Sequence, residues 1–185
     1  MDFATQWQPS AGIQPVPVTG TRRCAVLGIG NPLMADDGLG IHVVQKLQRM
    51  GACFGADTAS VDLIDGGTLG YLLIDRLAGY DALIVVDAAN FKAEPGSLKV
   101  LCNDELEAFL SDRSSTSVHE VSLIDLLQML RLSNEAPRTL ALVGVQPALI
   151  DWSTDLTPSV AASVEEASRQ VCRLVKLWAE GDKLD

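Results

Sequence analysis

The chain has no pair of cysteines at C-x-x-C spacing; Cys24, Cys53, Cys102 and Cys172 are scattered singly along its 185 residues. Zinc knuckles and redox dithiols need close pairing, so both are excluded, and buried free thiols in a reducing compartment are expected instead. No apolar run approaches the ~18 residues that span a bilayer, and no basic start followed by an apolar stretch marks the N-terminus. The expectation is a cytoplasmic protein with no membrane insertion. Basic residues are scarce: 14 against 24 acidic ones leave a net charge of −10. That balance opposes a phosphate backbone, so nucleic acid is not an expected partner. Catalytic signatures are also missing. There is no G-x-S-x-G elbow, no H-E-x-x-H, and no cysteine set beside a histidine by sequence.

What is present is a composition of 48% hydrophobic and 21% charged residues, that of one globular domain. At this size folding buries about 70% of the extended-chain surface, enough for an apolar core without disulfides or structural metal. Residues 1–21 are rich in Pro, Gly, Gln and Thr without periodicity and read as a mobile leader, 22–180 as a single α/β domain, and 181–185 as a tail. Short apolar runs then alternate with amphipathic ones. CAVLGI, VDLI, ALIVV, LKVL and LALVGV read as strands, four of them too apolar for a sheet with one wet face. LKVL alternates and suits an edge.

Between the strands, 38–50 places Val43, Val44 and Leu47 on one helical face and leaves His42, Gln45 and Arg49 to water, with Gly51 as a stop. Thr157-Pro158 reads as an N-cap followed by a first-turn proline. Val160, Val164, Ala167, Val171, Leu174 and Trp178 form a stripe behind it. The predicted architecture is a three-layer α/β/α sandwich around a mostly parallel, twisted five-stranded sheet with one antiparallel edge strand.

In parallel sheets ligands gather beyond the carboxyl ends of the strands. The unusual polar residues fall there: Asp36 and Asp37 after the first strand, Asp65-Gly66-Gly67 after the second, Asp87 after the third. The G-x-G-x-x-G dinucleotide pattern fails because position 33 is Leu33, and the acidic pair would repel a phosphate. Ser117 and Glu120 form a capping box that sets His119 in the first turn of a helix, where the dipole keeps its imidazole neutral and able to bind metal. Each residue also has a plainer reading. Asp36 or Asp37 would favour the next helix through its dipole, Asp65 and Asp87 would accept loop amides, and His42 would be solvated surface. Gly66-Gly67 would admit a substrate backbone or simply make a tight turn. Asn103-Asp104-Glu105 reads as a capped helix start. Together, two or three carboxylates and one imidazole suit a borderline divalent metal such as nickel or zinc, with positions left open.

GIGNPLMADDGLG, LIDGGTLG, IVVDA followed by PGSL, SVHEVSLIDLL and LVGVQP, in this order over about residues 23–178, resemble the NiFe-hydrogenase maturation endopeptidases. The resemblance implies a cytoplasmic carboxylate-dependent protease that removes a C-terminal extension from the hydrogenase large-subunit precursor. It implies nickel supplied by that precursor, with none tightly bound at rest. Position by position it implies Asp37, Asp65 and His119 as the metal-contacting and catalytic trio. Relatives often carry glutamate where this chain has Asp37, and neighbouring Asp36 is expected to make up the shorter reach. The same trio would serve a non-catalytic metal-sensing chaperone of the immature large subunit, or a self-contained metallohydrolase.

Overall fold

The computed structural model describes residues 23–51, 60–68, 72–111 and 118–180, with the side chains of 72, 118–122 and 180 excepted. The expected leader and tail, and Cys53, lie outside the described residues. Strand β1 (Arg23–Gly28) leads through a 3-10 turn (Ala35–Gly38) into helix α1 (Leu39–Met50). There follow β2 (Ser60–Asp65), α2 (Leu72–Leu77), β3 (Ala82–Ala88), β4 (Leu98–Cys102), α3 (Asp104–Ser111), α4 (Val118–Leu132), β5 (Thr139–Val145) and α5 (Pro158–Glu180). All five expected strands form.

The sheet order is β2-β1-β3-β5-β4. β1 pairs in parallel with β2 and β3, β3 with β5, and only β4 runs antiparallel, against β5. Every residue of β3 is buried, as a central parallel strand covered on both faces requires. β4 turns Lys99 to solvent at the edge. Alternation sorts the strand side chains into two cores. Val26, Ile84, Val86, Ala141 and Val143 pack with α1 and α5, while Leu27, Leu83, Val85, Leu140 and Leu142 pack with α2, α3 and α4. The sandwich is therefore α/β/α, as its sequence predicts.

α1 begins one residue later than the sequence suggests and stops at Gly51, whose φ of 59° and N–H to the Leu47 carbonyl (3.2 Å) make the left-handed cap. Gln45 and Arg49 are exposed, and His42 is half-buried. Two glycines let this helix sit directly on the sheet. A Cβ on Gly28 would lie 2.3 Å from the Gly40 carbonyl oxygen, and one on Gly40 would lie 2.3 Å from the carbonyl oxygens of both Ile29 and Val86. Val160, Ala167, Val171, Leu174, Val175 and Trp178 bury the α5 stripe, with Val164 half-buried. Truncating one of the fully buried aliphatic residues, such as Leu174, would cost about 2–5 kcal/mol. Among the described residues no helix is long and apolar enough to cross a membrane.

Candidate active site

From β1 the chain steps to β2 on one side and then to β3 on the other, so the sheet reverses direction between β1 and β3. A crevice opens at such a switch point, beyond the carboxyl ends of the two strands. Here β1 ends at Gly28, and β3 ends at Ala88 beside Asp87. Backbone bonds knit the loops around them: Ile29 N donates to Val86 O (2.9 Å), Gly66 N to Gly28 O (2.9 Å) and Gly30 N to Gly67 O (2.8 Å).

The two adjacent aspartates part company. Asp36 has no solvent exposure, and its carboxylate accepts from Ala148 N (2.8 Å), Leu149 N (3.0 Å), Thr157 N (2.7 Å) and Thr157 Oγ1 (2.9 Å). Burial works to raise its pKa, but the bonds from Thr157, Leu149 and Ala148 outweigh it and hold the carboxyl below its ordinary value. Asp36 is thus committed to the loop before α5 and is not available to lengthen the reach of Asp37. Thr157 stands immediately before α5, where its carbonyl accepts from Ala161 N (2.8 Å), and its hydroxyl donates to Asp36 while lying 3.3 Å from Ser159 Oγ in the first turn of the helix.

Asp37 is buried in the 3-10 turn, where its Oδ2 accepts from Asn31 N at 2.8 Å. The turn packs against β3 and α1. Gly30 makes this possible. Its φ is 132°, and a Cβ there would fall 1.7 Å from the Asp37 carbonyl oxygen.

Asp65 is exposed at the end of β2, the outermost strand on this side. Its Oδ1 accepts from Gly67 N (3.0 Å) in an Asx turn, with Gly67 at a φ of 53°. Gly66 has no room for a side chain, since a Cβ would sit 2.7 Å from Leu27 Cδ1 and 3.0 Å from Gly28 O. Gly66 therefore serves the turn, whereas the Gly67 Cβ position has nothing within 4 Å.

Asp87 is 3% exposed, at the end of the central strand β3. It alternates with Leu83 and Val85 on the face covered by α4, while Asp65 alternates with Val61 and Leu63 on the opposite face. α4 ends in the short loop that feeds β5, where Arg138 N donates to Asp81 O (3.0 Å) at the base of β3. Its first turn, which contains His119, therefore lies toward the carboxyl ends of the strands. The capping box itself and the His119 side chain lie outside the described residues. Among the described residues no three of His, Cys, Asp and Glu group closely enough to hold a metal ion. A carboxylate pair and an imidazole with open positions can orient a substrate-borne cation, polarise a carbonyl through it, and relay the proton of an attacking water.

Residues 41–174 match the hydrogenase maturation protease family. Over 150 residues the chain is 36% identical to the hydrogenase 2 maturation protease of Escherichia coli K12, covering 80% of this chain and 88% of that one. It is 34% identical over 164 residues to the hydrogenase expression/formation protein HupD of Rhodobacter capsulatus, covering 88% and 76% of the two chains. The fold is similar to that of the hydrogenase maturating endopeptidase HybD from E. coli, with a TM-score of 0.73 at 34% identity over 84% of this chain and 93% of that one. The chain belongs to the hydrogenase maturation proteases.

As a maturation protease it is a peptidase, which favours the catalytic reading of the rim over the chaperone one. Two of its organising residues were not among the expected site residues. Gln146, buried at the end of β5, accepts from Phe91 N (2.8 Å) and Ala93 N (3.3 Å) through Oε1 and donates from Nε2 to Asn90 Oδ1 (3.4 Å). It fixes the loop that leaves Asp87. Asn103, immediately before α3, accepts from Leu140 N through Oδ1 at 2.9 Å and donates its own N–H to Leu140 O (3.0 Å), tying the end of β4 to β5. An amide at the end of an apolar run, as in LVGVQ, is the signal that would have found Gln146.

Proposed function

We propose that this maturation protease removes the C-terminal extension of the nickel-loaded NiFe-hydrogenase large-subunit precursor. The precursor's nickel is met by Asp37, His119 and a second carboxylate. The metal arrives with the substrate and serves as a template that holds the scissile peptide against the rim. A carboxylate takes a proton from water as the oxygen adds to the peptide carbonyl. The C–N bond then breaks, and the proton passes to the departing amine, giving a shortened large subunit and a free tail.

The residue-by-residue likeness supplies Asp65 as the second carboxylate. The β1 loop supports that assignment: Gly66 N donates to Gly28 O and Gly30 N to Gly67 O, so the Asp65 turn is bonded to the segment on which Asp37 rests, and Asp65 shares the α1 face into which the Asp37 turn leads. Asp87, at the end of β3 on the α4 face, is the alternative second carboxylate. The bonding of the two loops is the observation that carries the choice.

Nickel-loaded precursor mixed with purified enzyme, followed by mass spectrometry of the C-terminus, tests both versions. His119→Ala and Asp37→Asn should each slow tail release by about a hundredfold or more. Asp65→Asn should match them, and Asp87→Asn should stay within about tenfold of wild type. The reverse order would move the second carboxylate to Asp87, and full processing by His119→Ala would dismiss the trio.

A further inference from the structure

Four large apolar side chains stand in water beside the candidate site: Leu33 (51% exposed), Leu149 (48%), Ile150 (50%) and Trp152 (79%). Single exposed apolar residues are ordinary, but a contiguous group that includes a tryptophan marks a contact surface. Contiguity follows from the backbone. Ser153 N donates to Leu33 O (3.1 Å), Ala35 N to Ser153 O (2.8 Å) and Asp36 N to Leu149 O (3.2 Å), with Met34 and Ser153 joined as a parallel bridge. The two segments therefore lie side by side, and the residue after Asp36 is Asp37.

The exposure is enforced. Asp36 pins Ala148, Leu149 and Thr157, while Asp151 Oδ1 accepts from Trp152 N (2.7 Å) and Ser153 Oγ accepts from Asp155 N (3.1 Å). A loop so fully bonded holds Ile150 and Trp152 outward without collapsing over them. Neither segment, 29–38 or 146–157, contains a lysine or arginine, and between them they carry Asp36, Asp37, Asp151 and Asp155. With a net charge of −10 behind it, the surface repels a second copy of the chain and any anionic partner.

We propose that Leu33, Leu149, Ile150 and Trp152 form the docking surface for the precursor protein, and that they receive a segment bearing apolar and basic side chains beside the scissile bond. The inference rests on the processing reading above. Trp152 and Ile150 supply buried apolar area on docking, while Asp151 and Asp155 at the edge select a cationic neighbour and steer its approach.

The test uses full-length enzyme and nickel-loaded precursor, with KM and kcat for tail release measured separately. Trp152→Ala combined with Ile150→Ser should raise KM roughly tenfold or more and leave kcat within about twofold, because neither side chain meets the reacting atoms. Asp151→Lys combined with Asp155→Lys should also raise KM and flatten its dependence on salt. Circular dichroism should show the wild-type fold in both. A wild-type KM in the Trp152/Ile150 variant, with His119→Ala inactive, overturns the docking surface and leaves the processing reading intact. Absence of tail release by the wild-type enzyme overturns the processing reading whatever the surface variants do, whereas full tail release by His119→Ala overturns only the trio. A wild-type dimer in sedimentation that the Trp152/Ile150 pair abolishes would assign the patch to self-association and overturn the inference.

Discussion

Thr157 gives both its backbone N–H and its hydroxyl to the carboxylate of Asp36, at 2.7 and 2.9 Å across 121 positions of sequence. Two further amides complete the shell, so a fully buried charge is matched by donors and the end of one loop is locked to the start of the last helix. Asp36→Asn keeps the shape but replaces two accepting oxygens with one. Each charged hydrogen bond is worth about 1.5–3 kcal/mol, and they do not add fully, so the variant should lose about 3 kcal/mol in urea unfolding.

Acid should erase that difference. The folded pKa of Asp36 lies below its ordinary value of 3.8, so its contribution is fully present above that value and is lost as pH falls through the folded pKa. The stability gap between wild type and Asp36→Asn should be level from neutral pH down to about pH 5 and should narrow below about pH 4. Urea midpoints measured across this range check the sign. A gap that widens in acid would mean the carboxyl is not held in its charged form.

Gly40 and Gly67 should respond unequally to the same added methyl. Gly40→Ala sets a Cβ 2.3 Å from two carbonyl oxygens of the sheet, so α1 must lift, at about 3 kcal/mol or more. Gly67→Ala meets open space and costs only about 1 kcal/mol for its φ of 53°. Thermal melts of the two variants side by side separate close approach from backbone strain.

Cysteine chemistry offers an independent check on burial. Desolvation, helped by the nearby Asp62 charge, pushes the Cys24 thiol up to about 12; burial and Glu105 take Cys102 to about 11. At pH 8 roughly one Cys24 in ten thousand is thiolate, so iodoacetamide should leave it unmodified in the folded enzyme while alkylating it in urea. Peptide mapping reads the outcome. Rapid labelling of Cys24 under native conditions would contradict the packing of β1.

The fold was largely legible because its signals are local. Unbroken apolar runs announced β1, β3 and β5, the alternation around Lys99 announced an edge, and Gly51 ended α1 as the spacing required. The site was less so, since its decisive features are non-local. Asp36 and Asp37 are chemically identical neighbours, and only partners at 148, 149 and 157 show that one is structural. Thr157 reads as a helix cap, and nothing near it in sequence shows that it also serves the carboxylate of Asp36. Asp65 and Asp87 both end strands, and only the sheet order and side-chain parity show that they face opposite layers. Gln146 and Asn103 bond to segments far along the chain, which no window of sequence displays.

The bridge between Met34 and Ser153 joins segments far apart along the chain, so the acidic turn is held by a partner that folding must bring to it from a distance. Ordering of that turn is therefore tied to closure of a long loop, whose entropic cost is met only as the rest of the sheet assembles.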